Sequence, residues 1–373
     1  MEKLLLKTLL LQNFRNIEEL KLQPHPAFNF FFGENAQGKT ALLESIYFLS
    51  ELRSFRTPDL SSLIRHGTDV AQLSAQIESE GLLHDLKVVL RAESKDVSWN
   101  GKTPRPYRVL RRKIPVVLFT PESVRLFRSS PGERRQYFDQ SFGLLSEAFA
   151  KDVEEYGRIV RQKKELLEQL RTGSSALRAQ KEIWDERLIE WGARVARERI
   201  CFTEALKPLF NAHFERLSGK EWKAEIQYQS HLAGLHKQSE TETLQGLYRD
   251  EVRRREAEEI ERGQVLVGPH RDDWEILLEG IGLKEEGSQG QHRIAVAALK
   301  LAELEGLRRQ DFSPLTLFDD LLSELDERRI RMVLEELALA QGQVFLTSIA
   351  PGGISLGTLG GSTYQIRDGK VVQ

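Results

Sequence analysis

The chain has 373 residues, enough for one large domain or two linked ones with a full core; Lys and Arg number 54 against 56 Asp and Glu, and hydrophobic residues make up 40%. A formal charge of −2 with that composition excludes disorder and collagen, and any nucleic-acid surface must be a local cluster. The lone Cys201 cannot form an intrachain disulfide, no Cys/His group has zinc-ligand spacing, and no run approaches the ~20 apolar residues of a membrane span or a signal peptide's core, which predicts a cytoplasmic protein with no membrane contact.

In chain order, Leu4 to Leu11 and Phe28 to Phe32 are apolar runs with strand character. Residues 42 to 49 carry Leu42, Leu43, Ile46 and Leu49 at helical spacing. Val70 to Ile77 approximates the period-two pattern of a half-buried strand, and Asn100-Gly101 after Val97-Ser98-Trp99 is a two-residue hairpin signal. An antiparallel sheet beside a parallel one is therefore expected. From about residue 144 the period changes: Phe149, Val153, Tyr156, Val160, Leu167 and Leu170 predict one amphipathic helix, and Trp184, Leu188, Trp191, Val195 and Phe202 a second. Thr172-Gly173-Ser174-Ser175 between them can turn the chain into an antiparallel hairpin whose arms are on the order of 40 Å, too short for a long coiled coil. A charged helix follows at about 240 to 262. The domains expected are 1–140 (with the phosphate loop), a helical lobe at 141–262, and 263–373.

The chemistry begins with Gly33-Glu34-Asn35-Ala36-Gln37-Gly38-Lys39-Thr40, which matches the phosphate-binding pattern G-x-x-x-x-G-K-[ST] between a strand and a helix. Glycines let backbone N–H groups converge on phosphates, and the helix start adds its positive dipole end. Lys39 would reach the outer phosphates and the Thr40 hydroxyl would reach Mg²⁺. A second apolar strand, Pro314 to Phe318, delivers Asp319 and Asp320 to its C-terminal edge, where open α/β sheets bind ligands. Asp319 is expected on Mg²⁺ and Asp320 as the carboxylate that orients and deprotonates the attacking water. Paired acids after a strand are often a solvated loop, and the phosphate loop in the same chain favours the functional reading. Ser288-Gln289-Gly290-Gln291-His292-Arg293 then opens another helix. A second phosphate cradle so far along one chain suggests a two-fold dimer in which each copy closes on the other's nucleotide; the plain alternative is a Ser-capped helix.

These residues resemble the ABC-type ATPase heads and, among them, the RecF family of bacterial recombinational-repair proteins. The order of phosphate loop, signature, acidic strand and Ser323-Glu324-Leu325-Asp326 is that of the heads. Closer to RecF are Leu11-Gln12-Asn13-Phe14-Arg15-Asn16, the stretch Leu42 to Arg56, Phe119-Thr120-Pro121-Glu122, Pro131 to Arg135 with Asp139, and Gly268-Pro269-His270-Arg271-Asp272-Asp273. The resemblance implies an α/β ATPase lobe of mixed sheet and antiparallel subdomain, plus an inserted helical lobe. It implies ATP and Mg²⁺ as cofactors, and ATP-dependent homodimerisation on duplex DNA near single-strand gaps. It further implies weak hydrolysis acting as a switch, RecR and RecO as partners, and help for RecA at gaps. Arg15 and Asn16 would lie near the nucleotide, and Ser288, Gly290 and Gln291 would reach across the dimer. A chromosome-organising SMC-type ATPase is disfavoured by the short helices. A transporter subunit would need a coupling glutamine, for which Thr120 or Glu122 is the only stand-in, and a switch histidine where Thr347 and Ser348 stand. Phe127, Ser129, Phe138 and His292 also depart from the family pattern; His292 bears on how tightly the dimer closes.

For DNA, Arg105, Arg108, Arg111, Arg112 and Lys113 form a basic run without an acid, and Arg53 and Arg56 a second candidate; a solvated surface weighs equally against the first. Arg253-Arg254-Arg255 is followed by acids that can neutralise it. His270 and Arg271 could touch DNA or nucleotide, or pair internally with Asp272 or Asp273.

Overall fold

The computed structural model describes residues 3–172, 177–219, 222–232, 240–320, 325–339, 342–349 and 360–372. They form two compact units, one combining Met1–Val124 with Arg293–Gln373 and the other Arg125–His292. The second unit is wider than the 141–262 lobe read from sequence, because a helix before the lobe packs on its long helices and two strands after it form a sheet with a strand inside it.

The first unit opens with β1 (Leu5–Phe14) and β2 (Ile17–Leu22), a hairpin turning at Arg15 and Asn16. A register shift between Leu6 and Thr8 lets Leu6, Leu9 and Leu11 all face inward despite their uneven spacing. β3 (Phe28–Phe32) leads through the glycine loop into α1 (Lys39–Glu51). Then come β4 (Ala71–Ser79), β5 (Leu82–Leu90) and β6 (Lys95–Trp99), completing an antiparallel sheet in the order β2-β1-β4-β5-β6. Ala71, Leu73, Ala75 and Ile77 are buried, as the period-two pattern predicts. Asn100 and Gly101, with φ of 51° and 77°, make the expected turn. α2 (Val109–Lys113) and β7 (Val116–Phe119) end this segment.

In the second unit, α3 (Pro131–Leu145) starts with a capping box between Ser130 and Glu133. α4 (Glu147–Arg171) and α5 (Arg178–Ser218) run antiparallel: Lys163 meets Asp185, and Tyr156 meets Gly192. Gly173, Ser174 and Ser175 lie outside the described residues. α5 has 41 residues, roughly 60 Å at 1.5 Å per residue, and so exceeds the expected arm length. It continues through Pro208 because Leu209, Phe210, Phe214 and Leu217 stay buried beyond it; packing outweighs the proline's cost. β8 (Ala224–Gln229), α6 (Thr241–Arg262), β9 (Asp273–Leu278), β10 (Ile281–Gly282) and α7 (Leu283–Glu286) complete the unit, with β10-β9-β8 as its sheet.

α8 (Gln289–Arg309) carries the chain back to the first unit, followed by β11 (Leu315–Phe318), α9 (Glu327–Leu339), β12 (Val344–Ser348), β13 (Gly361–Arg367) and β14 (Lys370–Val372). The mixed sheet is ordered β14-β13-β3-β12-β11-β7, parallel except for edge strand β14. Its central strands β3, β12 and β11 are buried along nearly their whole length, as strands covered on both faces require, whereas β13 near the edge is largely exposed. α1 and residues of both large sheets share one core, so α1 buries even Glu44 and Ser45. No described helix is long and apolar enough to cross a membrane.

Candidate nucleotide site

The parallel order sets the site. β3, β12 and β11 end side by side, bringing the glycine loop, Thr347 and Asp319–Asp320 to one sheet edge. Gly33 has φ of 154°, and a Cβ there would stand 2.3 Å from the Ile366 carbonyl oxygen. Gly38, with φ of 111°, precedes α1 and supplies no side-chain cap; the first turn also lacks an acid. Uncapped N–H groups at a helix start are an anion site. Lys39 Nζ donates to the carbonyls of Gly33 and Glu34, both at 2.6 Å, and folds its charge beneath the loop. Burial lowers its pKa, against the opposing pull of Asp320 and Asp319.

Thr40 Oγ1 and Thr347 Oγ1 each donate to Asp319 Oδ1 at 2.9 Å, and Asp320 N–H donates to Thr347 Oγ1 at 3.0 Å. Asp319 is 7% exposed, and burial raises its pKa despite both hydroxyls; Asp320 and Glu122 add to the rise. Asp320 has φ of 50°, so the backbone bends where the acids meet the pocket. The pocket is open, about 920 Å³, and its lining residues all belong to the first unit; they include Arg15, Asn16, Arg56, Thr40, Asp319 and Asp320.

Sequence reasoning missed several contributors. Thr347 stands in the sequence only as the place where a switch histidine would be, and its strand's place beside β11 is not written locally. Buried Glu44 accepts two bonds from Arg15, at 2.8 and 2.6 Å, takes another from the Ser54 hydroxyl, and lies 3.7 Å from Arg56. A carboxylate among the apolar residues of α1 was the available signal, since a buried acid requires partners. Ser62, Ile64, Arg65 and His66, from the segment after α1, also line the pocket without any motif.

A family model described as the RecF/RecN/SMC N terminal domain matches residues 5–358. A DNA replication and repair protein RecF from Geotalea uraniireducens is 33% identical over 369 residues, covering 98% of this chain and 99% of that protein; the Staphylococcus carnosus RecF is 31% identical over 373 residues, covering 99% and 100%. The chain belongs to the RecF family. A solved RecF–ATP structure superposes with a TM-score of 0.91 at 28% identity, covering 99% of this chain and 97% of that one. An Smc head from Pyrococcus furiosus shares the fold, with a TM-score of 0.60 at 16% identity over 99% and 96% of the two chains. The α/β ATPase-head fold expected from the sequence is thus established, and the described residues contain no long coiled coil.

Elsewhere in this RecF-family chain, Ser288, Gly290 and Gln291 lie in the second unit and do not line the pocket. Ser288 N–H donates to Gln291 Oε1 at 2.8 Å and Gln291 N–H donates to Ser288 Oγ at 3.2 Å, a reciprocal cap on α8, while Ser288 and Gly290 remain exposed. His292 turns inward: it is 1% exposed, and its Nε2 accepts from Arg128 Nε at 3.0 Å. Thr120 is buried and bonded to Ser123 instead of lining the pocket. Ser323 and Glu324 lie outside the described residues, whereas Asp326 caps α9 through Arg329 N–H at 2.9 Å.

The basic candidates are partly spent on internal contacts. Arg111 pairs with Glu51 at 2.6 Å, Arg112 lies over Phe312 and Lys113 over Trp99; Arg105 and Lys113 are exposed, and Arg108 is half-buried. Arg53 lies 3.5 Å from Glu51 and Arg56 3.7 Å from Glu44, so each is held by a different carboxylate of α1. Arg254 and Arg255 pair with Glu251, which precedes the run, and of the acids that follow it Arg255 reaches Glu258 at 3.4 Å. Two RecF-like stretches prove to be one clamp inside the second unit. Arg134 grips Asp273 with two bonds, at 2.8 and 2.5 Å, Arg135 donates to the Asp272 carbonyl at 2.7 Å, and Arg199 joins Asp139 to the Pro269 carbonyl. His270 pairs with neither Asp272 nor Asp273; its ring lies between Tyr156 Oη at 2.6 Å and the Val265 carbonyl at 3.1 Å. Asp272 instead accepts from His231 and Tyr228, and Arg271 is exposed.

Proposed function

We propose that the chain is an ATP-gated DNA-binding protein of recombinational repair. The observation that carries this reading is the Thr40–Asp319 contact beside a glycine loop whose helix start has no cap. ATP phosphates would occupy the loop's N–H groups, with Lys39 released from the Gly33 and Glu34 carbonyls to meet them. A hydroxyl beside a carboxylate is a hard-oxygen pair that fits Mg²⁺, so Thr40 and Asp319 would hold the ion, which when bound neutralises phosphate charge. Asp320 would orient a water and take its proton, its backbone fixed by Thr347. Arg15 and Asn16 would flank the nucleotide from the β1–β2 turn. The exposed Ser288 and Gly290, with half-buried Gln291, would close on the nucleotide of a second copy, so that ATP joins two heads and slow hydrolysis releases them.

DNA would be held through its backbone, with Arg105 and Lys113 the exposed members of the basic run. The family likeness supports gapped duplex as the target, RecR and RecO as partners, and assistance to RecA as the outcome. A gel-shift with gapped duplex, with and without ATP at low and high salt, tests the reading. Binding should require ATP and weaken on the order of tenfold or more between 50 and 200 mM salt. Ser288→Arg should keep ATP binding while losing ATP-dependent dimers and the shift. DNA binding indifferent to ATP would sink the proposal.

A further inference from the structure

The turn joining the last two strands lies against the back of the phosphate loop. Asp368 and Gly369, with φ of 49° and 73°, connect β13 to β14. Asp368 N–H donates to Gln37 Oε1 at 2.6 Å and Gly369 N–H to the Gln37 carbonyl at 2.9 Å, so Gln37 is held at side chain and main chain together. The Ile366 carbonyl fills the space that a Cβ on Gly33 would need. From the other side, Asn16 Nδ2 donates to the Ala36 carbonyl at 3.1 Å. The two turns also meet each other: a Cβ on Gly369 would fall 2.8 Å from the Asn16 carbonyl oxygen. The loop is therefore clasped between two hairpin turns, one of which no nucleotide contact requires.

We propose that the Asp368–Gly369 turn is a positioning element for nucleotide binding, holding the loop spread so that its N–H groups converge before the phosphates arrive. The inference rests on reading the pocket as a nucleotide site. A glycine-containing loop left free would lose conformational entropy on binding, and bracing it beforehand removes that cost. Gly38 sits at the centre of the clasp, 3.4 Å from the Gly369 Cα as measured from an added Cβ.

The turn at Glu80–Gly81 provides the control. It has nearly the same backbone, with φ of 54° and 69°, and nothing within 4 Å of an added Cβ on Gly81. Both variants carry the same backbone strain, and Gly369→Val should lose more melting temperature than Gly81→Val because only its side chain meets the Asn16 carbonyl. Only Gly369→Val should weaken ATP binding, by at least about fivefold in direct titration, while Gly81→Val stays within about twofold of wild type. Gln37→Met keeps the side chain's bulk and removes the acceptor. It should also weaken ATP, speed amide exchange across residues 361–372, and blunt the slowing of that exchange which ATP produces in the wild type. If Gly369→Val does not fold, Gln37→Met decides. ATP binding as tight as wild type in these variants, or an equal loss in Gly81→Val, overturns the turn's role alone. A wild-type chain that binds no ATP overturns the nucleotide reading beneath it.

Discussion

Asp319 carries a conflict that only its chemistry explains. Two hydroxyl donors favour its charged form, yet burial dominates and raises its pKa, with Asp320 and Glu122 adding like charge. A carboxyl whose folded pKa lies above its unfolded value binds its proton more tightly in the folded state. Its contribution to stability therefore falls as pH rises from the ordinary Asp value through the raised one. At neutral pH the buried charge is a cost that a bound cation would offset. Asp319→Asn should accordingly melt higher than wild type at pH 7 without ligand, with the gap closing toward pH 4 in calorimetry. The same variant should lose roughly tenfold or more in Mg²⁺-dependent nucleotide affinity, since a neutral amide is a poorer ligand for a hard cation.

At the scale of elements, α4, α5 and α6 are stitched by a charge that never reaches water. Lys163 and Glu259 are both 0% exposed at the side chain; Lys163 Nζ lies 2.6 Å from Glu259 and 2.8 Å from Asp185, and Lys181 extends the network to Glu256. Removing one partner of a buried pair strands the other's charge, so Lys163→Met should cost about 3–5 kcal/mol in urea unfolding, partly recovered by adding Glu259→Gln. The His270 loop ties α4 to the segment before β9 by a different device. The Val265 carbonyl can only accept, so Nε2 carries the proton and Nδ1 accepts from Tyr156; burial pushes the ring's pKa down to about 4. A histidine kept neutral by folding contributes stability that is complete above about pH 6.5 and is lost as pH falls toward 4, at up to ~1.4 kcal/mol per unit. His270→Gln should flatten that part of the stability-versus-pH curve relative to wild type.

For the whole molecule, the proposed two-copy reaction centre draws on the exposed Ser288 and Gly290 in one compact unit and on the pocket lined by Lys39, Thr40 and Asp319 in the other. If two copies complete each site, hydrolysis per chain should rise with protein concentration through the dimerisation range, and Asp320→Asn should hold ATP, dimer and DNA together. A turnover per chain independent of concentration would show that one copy suffices. Because the lone Cys201 is exposed and its only disulfide partner would be a second chain, association is followed by light scattering with a reductant present.

Local sequence determined the glycine loop, the acid-ended strand, the period-two strand at Ala71–Ser79 and the amphipathic helices, because each needs only neighbouring residues to state its backbone or its buried face. The sequence after Pro351 assigns no element, because its glycine-rich stretch carries no period, although Asp368-Gly369 between β13 and β14 is a two-residue turn pair. Strand order was not legible. Putting β12 between β3 and β11 is a long-range pairing, and it alone made Thr347 a neighbour of Asp319. Burial likewise decided which charges were spent: Glu44 and Glu51 draw in Arg15, Arg53, Arg56 and Arg111, because a carboxylate placed in a core must find cations wherever the fold brings them.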